Sequence, residues 1–108
     1  MRCKFLLLLV LLLLTSCVNY ARHDTYLHEL EPPDKYNHPY DGPVIESVIS
    51  LAEVHEICGY DGVACSWLFA GTCYQVLPSG GPGLADVSLY RRHETAHCNG
   101  WPANHPRD

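Results

Sequence analysis

Three imidazoles and one carboxylate gather near the end of this 108-residue chain: His93, Glu94, His97 and His105. Residues four apart on a helix stand one turn above each other, so His93 and His97 can offer ring nitrogens to one cation. Imidazole binds zinc at ~2.0–2.1 Å. Glu94 is rotated by about 100° from His93 on the same helix, which sets it beside such an ion and not on it. From there it can take a proton from zinc-bound water, whose pKa the metal lowers to about 7. Gly100, three residues past His97, lets the backbone reverse and brings His105 within reach as a third ligand. The fourth position stays open to solvent or to Cys98, His55 or Asp108. Tyr90 shares the face of His93 and is read as packing against a sheet, with donation to a developing oxyanion as the alternative. Trp101 is read as an apolar plug that fixes the turn.

The elements that must hold these groups follow from pattern. "PVIESVIS" (43–50) alternates and is β-branched, so it reads as a strand. Ser50 and Glu53 form a capping box opening a short helix that Gly59 stops, with Leu51, Val54 and Cys58 on its buried face. "GVACSWLF" and "TCYQVLP" flank Ala70-Gly71 and read as a hairpin. Strand 72–77 is expected at the sheet edge, where a peptide can add as a further strand. "SGGPGLA" (79–85) is a loop, and Asp86 caps a helix running to about Cys98. The expected class is therefore α+β: a small antiparallel sheet with two helices, the second bearing the histidines.

The N-terminus bears on compartment. Met1 to Lys4 is short and basic, and Phe5 to Leu14 is unbroken apolar sequence. Ten apolar residues are too few for a helix to span the ~30 Å hydrocarbon core, but they suit a secretory signal. Leu14-Thr15-Ser16-Cys17 resembles a bacterial lipobox, which implies cleavage before Cys17 and acylation of that residue. Two or more acyl chains anchor a protein stably where one does not. The expected division is a signal peptide over 1–16, a lipidated N-terminus and polar tether over 17–43, and a metal-binding domain over 44–108. His23, His28 and His38 fall in the tether and read as surface residues.

Loss of Arg2 and Lys4 with the signal leaves five cations against twelve carboxylates, a net charge of −7. Such a balance argues against nucleic acid as a partner and leaves membrane attachment to the lipid. Cys58, Cys65, Cys73 and Cys98 are an even set in an exported chain, so two disulfides are expected. Cys65 and Cys73 flank the hairpin turn and can bridge across it; Cys98 can pair with Cys58. Both pairings stay open on sequence alone.

"HETAHCNGWPANH" (93–105) resembles the active-site helix of the zincin metallopeptidases, and its glycine resembles the metzincin pattern. It is still more similar to a group of small bacterial lipoproteins with His-Glu-x-x-His-Cys-x-Gly-Trp-x-x-x-His, over about residues 44–106. That resemblance implies one zinc ion on His93, His97 and His105, Glu94 as general base, and peptide hydrolysis in the cell envelope. In a metzincin the third histidine would stand at position 103; here that residue is Ala103, and no methionine follows for a Met-turn. The alternative function is a non-catalytic zinc-binding or disulfide-stabilised envelope lipoprotein that acts as an interaction module.

Overall fold

The computed structural model describes residues 28–107. Residues 1–16, expected as a signal segment, and Cys17, His23 and Asp108 lie outside the described residues. Strand β1 (Val44–Ile49) leads into helix α1 (Leu51–Cys58); β2 (Cys65–Phe69) and β3 (Thr72–Pro78) form the hairpin, and α2 (Val87–Cys98) follows. No helix among the described residues is long and apolar enough to cross a membrane.

Local signals explain most of these boundaries. Ser50 Oγ accepts the Glu53 amide at 3.3 Å and donates its own proton to the Glu53 carboxylate at 3.0 Å. The return bond of the capping box thus runs through the serine hydroxyl. Ala70 and Gly71 both have positive φ, 50° and 80°, the conformation a two-residue hairpin turn needs. Asp86 occupies the N-cap of α2 but makes no side-chain cap bond. Its carboxylate instead accepts the Ser88 hydroxyl at 2.6 Å, which, foremost among several contacts, holds Asp86 below the usual carboxylate range.

The expected α+β class holds, with one correction to its sheet. Strand order is β1-β3-β2; β3 pairs antiparallel with β2 but parallel with β1, so the sheet is mixed. The chain places α1 and β2 between β1 and β3, and a connection of that length permits a parallel partner. β3 is therefore central, not the edge strand expected from sequence, and β2 takes the edge position beside α2.

The disulfides also differ from the expected pairings: they join Cys58 to Cys65 and Cys73 to Cys98. Register explains why. Cys65 sits opposite Val76 and Cys73 opposite Leu68, so the two cysteines point to opposite faces of the sheet and cannot bridge the hairpin. Cys65 ties its face to α1 and Cys73 ties the other to α2, so the helices cover opposite sides. Val54 of α1 is fully buried. On the α2 side, Leu77 and Tyr90 form the core with Leu30, packed by Val63, Leu84, Val87 and Leu89.

Leu30 belongs to the stretch read as tether. Residues 28–43 pack on the domain over their described length: Leu30 and Pro32 are buried, and Glu31 pairs with Arg92 at 3.0 Å. Tyr40 donates its hydroxyl to the Gly71 carbonyl, and the Asn99 amide donates to the carbonyls of Tyr36 and His38. The apolar period that would announce such packing is too short to register in a polar, proline-spotted sequence.

Candidate metal centre

Helix α2 sets the first two ligands one turn apart, as its spacing dictates. The helix then stops in a Schellman turn: Trp101 N donates to Ala96 O, Gly100 N donates to His97 O, and Gly100 takes φ 104°. A side chain at position 100 would be strained in that conformation. The reversal buries Trp101, whose ring stacks on His97 at 4.9 Å and whose indole N–H donates to Pro106 O. The expected plug is there. His105 comes back under the helix in a left-handed conformation, φ 57°, its amide donating to Pro102 O. Such a backbone costs a non-glycine residue of order 1–2 kcal/mol.

The three Nε2 atoms meet. His93 lies 3.1 Å from His105 and 3.1 Å from His97, and His97 lies 3.0 Å from His105. His93 Nδ1 donates to the Leu30 carbonyl and His97 Nδ1 to the Trp101 carbonyl, both at 2.8 Å. Carbonyls only accept, so these rings carry a proton on Nδ1 and, as neutral imidazoles, turn Nε2 lone pairs towards each other. Two lone pairs at that separation repel unless something positive lies between them. A proton on His105 Nε2 can answer in part, whereas a cation satisfies all three nitrogens. Tetrahedral bonds of ~2.0–2.1 Å to zinc would set them about 3.3 Å apart, a few tenths of an ångström from what is seen. The outer hydrogen bonds to carbonyls are those that orient metal-binding histidines. These three residues could hold a metal ion, and no fourth histidine, cysteine or carboxylate among the described residues joins them.

Burial favours the uncharged imidazole. It pushes His93 down to about 4, against the Leu30 hydrogen bond and with help from His97, His105 and Arg107. Partial desolvation of its ring, foremost, lowers His105 too, aided by His97 and Arg107 and opposed by Glu29.

Glu94 is 5% exposed. Burial pushes its carboxyl up to about 7, opposed by the hydrogen bond it accepts from Ser66 Oγ at 2.8 Å. His93, Glu94 and His105 line one cleft of about 500 Å³, with Leu30, Tyr90 and Arg107 among its other walls. Loop residues 61–64, closed off by the Cys58–Cys65 bridge, also line it.

Strand β2 meets the site through the Ser66–Glu94 bond. Cys73 N donates to Pro43 O on the β1 side, so the Leu68–Cys73 pair is not hydrogen-bonded within the hairpin. Leu68, and by alternation Ser66, therefore turn their backbone N–H and C=O outward from β2. Ser66 thus presents backbone to the edge and its hydroxyl to Glu94.

Other sequence candidates fall elsewhere. Cys98 is spent on Cys73, His55 stacks on Tyr60, and His28 and His38 are exposed. Tyr90 is buried in the core and its hydroxyl accepts the Ala85 amide at 3.1 Å, which fits the packing role. Sequence reasoning missed Ser66 and Leu30. Alternation along β2 could have turned Ser66 away from Cys65, but which helix it meets depends on the sheet order. Leu30 contributes a backbone carbonyl, which leaves no trace in residue type. Set against known protein families, curated proteins and solved structures, the chain matches none of them.

Proposed function

We propose that this protein is a zinc-dependent metallopeptidase, exported and held at the bacterial envelope by lipid on Cys17. If the host has two membranes, the expected place is the outer membrane, facing the periplasm. The observation that carries the reading is the convergence of three Nε2 atoms at 3.0–3.1 Å. Three protein ligands with a place for solvent is the count of catalytic zinc sites, whereas structural sites close with four. The donor set fits zinc: neutral imidazoles, two of them aimed by carbonyls. Zinc in such a site supplies an activated water at neutral pH and polarises a carbonyl.

The chain's own residues do the remaining work. Glu94, in the same cleft as His93 and His105, takes the proton and hands it to the leaving amine. A divalent cation nearby favours its ionised form and offsets the burial that holds it near 7. The outward backbone of Ser66 and Leu68 offers an extended peptide a strand partner beside Glu94.

A second reading, a non-catalytic zinc-binding envelope module, draws on the 2.8 Å bond that ties Glu94 to Ser66 and away from solvent. Metal analysis of the protein purified without added zinc, followed by peptide cleavage assays on wild type and E94Q, tests both. The expected result is one zinc per chain in each protein and cleavage by wild type alone. Equal cleavage by E94Q removes the base; zinc in both proteins with cleavage in neither leaves the binding module.

A further inference from the structure

We propose that Arg107 is a positioning residue of the metal centre: it latches the loop carrying His105 to the backbone of residues 29–31, so that all three imidazoles meet one ion. The proposal rests on the metal-binding reading above, but not on catalysis.

His105 needs a latch. It lies in a loop without regular structure, it is exposed, and its backbone is left-handed. Among the described residues of the loop, the Pro102–His105 turn bond, the indole bond to Pro106 and the Trp101 ring against its imidazole hold it. Two residues on, Arg107 Nη1 donates to Glu31 O at 2.6 Å and to Glu29 O at 3.3 Å. The carbonyl between them, that of Leu30, accepts from His93 Nδ1. Three consecutive carbonyls therefore serve two ligands: the middle one aims His93, and the outer two fasten the loop that bears His105.

This short backbone segment is itself fixed. The Leu30 side chain is buried against Leu77 and Tyr90, and Glu31 is paired with Arg92. The Arg107 guanidinium also lies over the Trp101 ring, 5.8 Å from its centre, and that ring stacks on His97. Arginine suits the task because its fork of donors can serve two carbonyls at once without losing charge. Without it, the strained backbone at His105 can relax and withdraw the third nitrogen.

Cobalt(II) binding to the full chain, followed by its visible absorption, tests the latch. R107A is expected to bind cobalt about ten- to hundredfold more weakly than wild type, the usual cost of losing an orienting partner. R107K, which keeps a cationic donor, is expected to recover most of that loss. The deciding measurement is a double-mutant cycle with H105A. If Arg107 acts through His105, R107A/H105A binds cobalt as H105A does. Should R107A not fold, R107Q carries the same cycle, since it keeps part of the stem over Trp101. The latch is overturned if the Arg107 variant binds cobalt like wild type, or if it weakens H105A by the same factor as it weakens wild type. A wild type that takes up no cobalt would instead sink the metal site itself.

Discussion

Ser66 donates a 2.8 Å hydrogen bond to the Glu94 carboxylate across 28 residues of sequence. This bond joins an edge strand of the sheet to the buried, sole acidic residue of the histidine helix. It opposes the burial that raises Glu94.

Loss of that bond moves the acid in a known direction. In S66A, Glu94 keeps its desolvation and loses its donor, so its pKa rises above the present value of about 7. On the metallopeptidase reading proposed above, the acidic limb of the pH–kcat/KM profile shifts to higher pH, with the alkaline limb unmoved. Carbon-13 titration of the Glu94 carboxyl in the metal-free protein reads the same shift directly; an unchanged midpoint defeats it.

The metal-free protein carries opposed pH dependences. Glu94 is raised from 4.5 to about 7, so its contribution to stability is complete below 4.5 and lost as pH rises towards 7. His93 is lowered from 6.5 to about 4, so its contribution is complete above 6.5 and lost as pH falls towards 4. Between about pH 4.5 and 6.5 the Glu94 slope opposes that of His93, and His105, which is also lowered, adds to the latter. E94Q removes the Glu94 slope. Urea unfolding in the presence of a chelator is expected to show E94Q gaining stability with pH more steeply across that window than wild type does. Parallel slopes for the two proteins would refute the assignment.

The two disulfides are unequal. Cys73 and Cys98 are 25 residues apart and Cys58 and Cys65 are 7 apart. Loop-closure entropy then gives about 3.5 kcal/mol for the first and about 2.4 kcal/mol for the second. C73A/C98A should also weaken metal binding, because Cys98 adjoins His97 and anchors the last turn of α2 to the central strand. C58A/C65A should instead change substrate affinity, because its loop walls the cleft. Denaturant midpoints and metal titrations of the two double variants check the order; a larger stability loss from the shorter bridge contradicts it.

Tyr90 separates packing from catalysis. Y90F keeps the ring between Leu30 and Leu77 but leaves the Ala85 amide without its acceptor. A stability loss of about 1 kcal/mol is expected. On the metallopeptidase reading proposed above, turnover of the metal-loaded protein is expected to stay within about twofold of wild type, less than a lost oxyanion donor would cost. A hundredfold fall in kcat with unchanged stability would return Tyr90 to the chemistry.

Much of the site was legible because it is local. The i, i+4 spacing puts His93 and His97 on one helical face whatever surrounds them, and Gly100 can take the left-handed backbone that turns the chain. The capping serine, the Ala70-Gly71 hairpin and the buried face of α1 likewise depend on neighbours a few residues away, where propensity and sterics act directly. Tertiary structure decided what sequence distance conceals. Whether His105 meets the pair depends on a latch to residues 29–31, and the aim of His93 depends on a backbone carbonyl that any residue at position 30 would provide. The order β1-β3-β2 put β2 and not β3 at the edge, and the half-turn alternation of strands sent Cys65 and Cys73 to opposite helices. Pairing partners and shared carbonyls are set by free-energy differences among whole arrangements of the chain, and those differences belong to no single stretch of it.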